Sequence, residues 1–264
     1  MRNWALVSGR AQGTTCRAAS RCLLVAGLCV ALGTAFMGGP ARAGEAAPTN
    51  HPPVVKILLP KADSVFEGNS LVRYEISVSD EEDGDSKFQE IPANEVFLEV
   101  RYLPQASQAI ALLNQAPNSD PRGLEGIKHS NCLKCHAFNA KLIGPSFVDI
   151  GKRYPYSASN VGILSQHIHD GASGVWGNVK MPSHPELTQT QTEDMVSWIL
   201  QHAADPDTSY MAGTEGTFRI KDAADSPGKG KGIIALIASY TDHGLKDAPE
   251  KSLRGQDIIL IRNR

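Results

Sequence analysis

The sequence predicts a multidomain chain in which an all-α block lies between two all-β segments. Three observations carry this expectation. Apolar and polar residues alternate between positions 72 and 102 and strand-like runs return beyond 214; apolar residues recur at helical spacing between 106 and 204; proline-containing stretches near 117–121 and 205–206 divide the regions. The chain has 264 residues, 41% hydrophobic and 6% aromatic, with 16 Pro and 24 Gly, which suits one large or two small globular domains and excludes a disordered, collagen-like or multi-span membrane protein. Formal charge is −2, and no Lys/Arg cluster accompanies aromatic residues, so the electrostatic footprint of nucleic-acid binding is missing.

Residues 1–43 read as a cleaved secretory signal. They carry Arg2, Arg10, Arg17, Arg21 and Arg42, no acid, and an apolar run from position 22 to 37 followed by Ala41-Arg42-Ala43. The run is short for a bilayer span, so no membrane span is expected after cleavage near Gly44, and the mature protein is expected in the periplasm. Cleavage leaves 21 basic and 28 acidic residues and removes Cys16, Cys22 and Cys29. Only Cys132 and Cys135 remain, too few for a disulfide framework.

In chain order, residues 44–52 form a polar linker. Residues 53–104 form a β segment in which Val72, Tyr74, Ile76 and Val78, then Val96, Leu98, Val100 and Tyr102, occupy one face. This segment holds 5 basic and 11 acidic residues, so it carries nearly all the net charge of the secreted part. Residues 105–118 read as a linker helix. The helical block spans 119–204, and its last helix opens with a Thr188/Gln191 capping box and ends before Asp205-Pro206. Residues 205–264 return to strand grammar at 217–220, 232–240 and 257–261, with a Gly/Lys turn at 228–232. Each β segment alone has few strands for an independent sandwich, so the two either complete one sandwich around the helical block or form separate modules.

Cys132-Leu133-Lys134-Cys135-His136 is a C-x-x-C-H motif, the signature of covalent haem attachment. Thiols at i and i+3 on one turn reach the vinyl groups along one porphyrin edge, and the following histidine is placed to ligate iron. A zinc site would need a second pair of ligands, and a dithiol redox pair would need a βαβ setting; neither is present in the pattern. The sixth position decides what such a site does, because an open iron binds small molecules whereas a closed His/Met pair passes electrons. Met195 falls on the apolar face of the last helix and Met211 beyond it. Met181 sits in the aperiodic stretch 176–182, and is the expected distal ligand, with His184 as the alternative. His129, His167 and His169 read as solvated.

Residues 119–204 resemble the compact bacterial class I cytochromes c. The likeness rests on Leu124 and Ile127, the attachment motif, Gly144-Pro145, Trp176 with Met181-Pro182, and Trp198-Ile199-Leu200, in that order. It implies one haem c on Cys132 and Cys135, iron held by His136 and Met181, a hydrogen bond from His136 to the Pro145 carbonyl, and donation from Trp176 to a haem propionate. Leu124, Ile127 and Trp198 would pack where the first and last helices cross. His184 departs from the pattern, since relatives often carry Asn there. Residues 50–56 and 79–85 resemble polycystin-type immunoglobulin-like modules, whose acidic turns sometimes hold Ca²⁺, here at Asp80–Asp85. The β tail resembles modules appended to cytochromes in secreted sugar-dehydrogenase proteins.

The expected function is that of a secreted monohaem electron carrier, not an enzyme. Its donor would be a quinoprotein sugar or alcohol dehydrogenase, and its acceptor an oxidase or another cytochrome. The alternative is a haem-bearing module that binds carbohydrate or a cell surface, for which Phe88 and Tyr210 are the candidate stacking residues.

Overall fold

The strands begin at Val54, ahead of the alternating stretch that opens at Val72. In the computed structural model, which describes residues 49–114, 120–221 and 232–264, β1 (Val54–Leu59), β2 (Val65–Phe66), β3 (Leu71–Asp80), β4 (Gly84–Asp85) and β5 (Phe97–Leu103) precede the helices. The expected signal segment 1–43, most of the following linker, and the Gly/Lys turn short of Gly232 lie outside the described residues. Helix α1 (Ala106–Leu113) follows β5, and its Gln105/Gln108 side chains form a reciprocal cap.

The strands of the two β segments pair with each other. β3 is flanked by β1 and by β9 (Glu215–Arg219), with Val72 opposite Phe218, and β4 extends the same sheet. The second sheet runs β2, β11 (Arg254–Asn263), β10 (Ile233–Thr241), β5, β8 (Thr208–Ala212). Val72, Tyr74, Ile76 and Val78 of β3 meet Leu98 and Val100 of β5 and Ile234, Leu236, Ala238 and Tyr240 of β10 in one core. Residues separated by the whole helical block therefore share a single buried interior.

β10 explains the layering. Its Ile-Ile-Ala-Leu-Ile-Ala-Ser-Tyr run lacks alternation, as suits a strand covered on both faces, and Ile234 to Tyr240 are all buried. The inner face joins the core between the sheets. The outer face at Ala235 and Ile237 is covered by Ala109 and Leu112 of α1.

The helical block covers another part of that outer face. It comprises α2 (Arg122–Lys128), α3 (Phe147–Arg153), α4 (Ala158–Asp170) and α5 (Gln189–Trp198), which continues through a π-helical turn, Ile199–Ala203. Leu124 and Ile127 of α2 pack with Met195 and Trp198 of α5, and Phe97 of β5 belongs to this second core. Gly123 allows the close crossing: a Cβ there would lie 2.5 Å from the Trp198 Cβ and would also strike the Asp194 carbonyl oxygen.

Three expectations are corrected. The block is not purely helical, because Ala172–Gly174 (β6) and Gly177–Met181 (β7) form a hairpin through the stretch expected to be aperiodic. Glycines with positive φ at 174 and 177 flank its two-residue tip, so main-chain conformation rather than apolar alternation makes the strands. Residues 208–212, not among the strand runs expected in the C-terminal β segment, form edge strand β8, which places Met211 against the inter-sheet core and Tyr210 against the helical core. Tyr210 is thus engaged in packing and unsuited to stacking on a sugar, whereas Phe88 is exposed.

Candidate functional site

The Cys-x-x-Cys segment is a 3-10 turn, Asn131–Lys134, capped by Ser130. The His136 amide donates to the Cys132 carbonyl at 2.9 Å, so one turn carries both thiols and the histidine. The two cysteines are not joined to each other by a disulfide. Burial pushes the Cys132 thiol up, while the Ser130 hydroxyl, 3.0 Å from its Sγ, opposes the shift.

His136 is 9% exposed and is fixed on two sides. Its Nδ1 lies 2.7 Å from the Pro145 carbonyl oxygen. A carbonyl only accepts, so the proton resides on Nδ1 and Nε2 keeps its lone pair. Its ring stacks on Phe147 with centroids 5.4 Å apart and planes 11° off parallel. Burial holds the imidazole below its ordinary pKa, against the Pro145 bond, so it is neutral at pH 7. Gly144 lies flat against the ring; a Cβ there would come within 2.8 Å of both ring nitrogens.

A cleft of about 400 Å³ collects the residues singled out in the sequence. Cys132, Cys135, His136, Pro145, Trp176 and Met181 all line it, joined by apolar side chains from α3, α4 and α5. Met181 closes β7 opposite Ala172, held there by the turn at Gly171, whose φ of +80° suits glycine. Trp176 sits at the hairpin tip, half-exposed, with the Arg153 guanidinium 5.1 Å from its ring centre. The donor set, the apolar walls and the volume fit a haem c: two thiols on one turn, a histidine with a free Nε2, and a thioether in the same cleft.

The remaining histidines separate. His184 lies outside the cleft lining, with Nδ1 2.9 Å from Glu186, and its amide ties the loop to the Ile168 carbonyl. His167, expected to be solvated, lines the cleft instead, because α4 turns Leu164, His167 and Ile168 toward it. Gly144 was marked in the sequence only as part of the Gly144-Pro145 element, and Phe147 was not marked at all; the structure places both against the His136 ring.

The acidic turn does not support Ca²⁺. Asp80 Oδ1 accepts the amides of Glu82 and Asp83, Asp83 Oδ2 accepts the Tyr240 hydroxyl at 2.7 Å and pairs with His243, and Glu82 pairs with His51. Asp80 Oδ1, Asp83 Oδ2 and Glu82 are thus engaged by protein donors, and no group of three or more His, Cys, Asp or Glu able to hold a metal occurs among the described residues.

The cytochrome c family profile matches residues 124–203. This segment is 35% identical over 80 residues to cytochrome c-551 of Azotobacter vinelandii, covering 30% of this chain and 96% of that protein. The chain belongs to the cytochrome c family. Cytochrome c-552 of Hydrogenobacter thermophilus is 36% identical over 86 residues, with 30% of this chain and 87% of that protein covered. Cytochrome c-552 of Nitrosomonas europaea is 33% identical over 73 residues, with 28% and 71% covered. These matches support a class I cytochrome c, a family of monohaem electron carriers with covalently bound haem c. The strands β1–β5 and β8–β11 of this cytochrome lie outside the family match. No helix among the described residues is long and apolar enough to cross a membrane.

Proposed function

We propose that this cytochrome is a secreted monohaem electron carrier in which Cys132 and Cys135 hold haem c through thioethers and His136 and Met181 bind iron. The carrying observation is the single cleft that these four residues line, with His136 Nδ1 already committed to the Pro145 carbonyl. Haem c iron, when bound, supplies reversible one-electron exchange. The protein's own contribution is to hold the axial ligands still. Pro145 and Phe147 restrain the His136 ring from two directions, and the paired β6–β7 hairpin restrains the Met181 backbone, so the ligands need little movement between oxidation states. The apolar walls exclude water. Trp176 would donate to a haem carboxylate, and Arg153 adds positive charge beside it.

The chain is proposed to act in the periplasm after removal of residues 1–43. The proposed donor is a quinoprotein sugar or alcohol dehydrogenase, with an oxidase or another cytochrome as acceptor; the likeness of the β tail to modules of such systems supports this. The β segments are proposed to be immunoglobulin-like.

Optical spectra of the wild type and Met181→Ala test the site. The wild type should show the weak far-red methionine–iron band when oxidised and ignore carbon monoxide when reduced. Met181→Ala should lose the band and bind carbon monoxide. Carbon monoxide binding by the wild type would mean an open iron and refute a closed carrier.

A further inference from the structure

We infer that strands β5 and β8, which lie outside the cytochrome match, orient the proximal ligand: Phe97 and Tyr210 act as positioning residues for the His136 ring. This rests on the proposed role of His136 as an iron ligand.

The contacts run without a gap from the imidazole to the β-sheet. His136 stacks on Phe147, and Phe147 meets Phe138 with centroids 5.4 Å apart at 69°. Phe138 is held from the far side by Phe97 of β5, at 6.3 Å and 85°, and by Tyr210 of β8, at 5.5 Å and 38°. Tyr210 is itself braced edge-on by Trp198 of α5 at 5.2 Å. Edge-to-face ring contacts are directional, and a close-packed interior passes displacement on rather than absorbing it.

A second set of contacts grips the same loop through its backbone. Asn139, three residues after His136, donates from Nδ2 to the Tyr210 carbonyl at 2.9 Å, tying the loop to β8. On the opposite side the amides of Phe147 and Val148 donate to the carbonyls of Ala137 and Phe138, at 3.1 and 3.0 Å. The segment 137–139 is therefore clamped between the start of α3 and the sheet. Phe97 is fixed in turn by the Lys128 ammonium, 4.3 Å from its ring centre.

Of the two restraints on His136, the Pro145 bond is made by the loop that carries Pro145. The Phe147 stack depends on Phe138 being pressed against it, and of the three other rings around Phe138, Phe97 and Tyr210 come from the sheet and Trp198, at 6.1 Å and 84°, from α5. Loosening Phe97 or Tyr210 should let the imidazole plane rotate while the Pro145 bond survives. The sheet then sets a property of the iron without contributing a ligand.

The test uses the full haem-loaded chain. Variants Phe97→Leu, Tyr210→Leu, Tyr210→Phe and Asn139→Ala are compared with Val72→Ala, which weakens the core between the sheets without touching the helical block. The readouts are melting temperature, reduction potential, and the spread of the haem methyl proton resonances in the oxidised protein, which follows the axial ligand planes. Phe97→Leu, Tyr210→Leu and Asn139→Ala should change the methyl pattern and shift the potential, Tyr210→Phe should restore the parent pattern, and Val72→Ala should lower the melting temperature alone. A parent-like methyl pattern in Phe97→Leu and Tyr210→Leu would overturn the inference. Where those two fail to load haem, a parent-like pattern in Asn139→Ala overturns it equally. A parent chain with no covalent haem refutes the functional reading itself, a distinguishable result.

Discussion

Replacing Asp120 by Asn probes how the helical block is locked to the sheet. Lys128, in the last turn of α2, places its ammonium 2.6 Å from Asp120 Oδ2, with side chains only 9% and 12% exposed. Arg254 of β11 reaches Asp120 Oδ1 at 3.4 Å, and Ser239 of β10 lies 3.4 Å from Lys128 Nζ. Burial pulls the Lys128 pKa below its ordinary value, opposed by the Asp120 charge. Asp120→Asn leaves a buried ammonium with neutral acceptors and a nearby guanidinium. Removing one partner of a buried pair costs about 3–5 kcal/mol; Asn keeps an acceptor, so we expect the lower end, about 3 kcal/mol by the same scale. At roughly 2–4 °C per kcal/mol for a domain of this size, the melting temperature should fall by about 6–12 °C.

The pH dependence has a definite sign. With Lys128 depressed in the folded state, the unfolded chain binds more protons between the folded and unfolded pKa values, so stability rises with pH there. Losing Asp120 depresses Lys128 further and widens that window downward. The penalty of Asp120→Asn should therefore shrink as pH rises toward the ordinary lysine range. Thermal and urea unfolding of haem-loaded protein at several pH values measure both effects. A loss below about 1 kcal/mol, the level of a surface pair, together with a pH-independent penalty, would refute the reasoning.

Other expectations follow from the same geometry. Gly123→Ala places a Cβ against the Asp194 carbonyl and Trp198, and should cost about 1–3 kcal/mol by overpacking, read in urea unfolding; an unchanged midpoint would show that α2 and α5 slide apart freely. Gly144→Ala should displace the His136 ring and alter the spectrum of the oxidised haem-loaded protein, whereas Gly162→Ala, with open space around it, should leave it unchanged. Burial opposes His243 protonation, but its bonds to Asp83 and Glu95 raise its pKa overall. That stability is present below the unfolded pKa and is lost as pH rises through the raised value, so wild type should melt lower at pH 8 than at pH 6, and His243→Gln should flatten the difference. Truncation after residue 213 removes β9, β10 and β11; amide exchange should show β3 and β5 unprotected, and the helical core loosened near Phe97.

Much of the candidate site was legible from the sequence because its Cys-x-x-Cys-His residues are neighbours in the chain. Two thiols and an imidazole on one turn need only five consecutive residues, and the capping box of α5 needs four. The apolar faces of β3 and α5 were likewise visible as period-2 and period-3.6 patterns. Met181 was singled out as the candidate distal ligand among Met181, Met195 and Met211, but its placement on a hairpin was not visible, since that hairpin is made by glycine conformations and main-chain pairing. The acidic turn misled because composition shows charge but not which donors that charge meets.

What the sequence by itself determined is the Cys-x-x-Cys-His turn, with its candidate haem-binding side chains, and the separation into strand-rich and helix-rich stretches, each encoded within a few neighbouring residues. Only the tertiary structure decided that β3 pairs with β9 and β5 with β10 across the helical block, that Tyr210 and Phe97 belong to the helical core, and that Gly123 and Gly144 sit where a Cβ would collide. Those facts depend on which surfaces meet, for the two strand pairings after more than a hundred residues of intervening chain. Burial is non-directional, so a strand or helix shows its apolar face in its own pattern but not which partner covers that face.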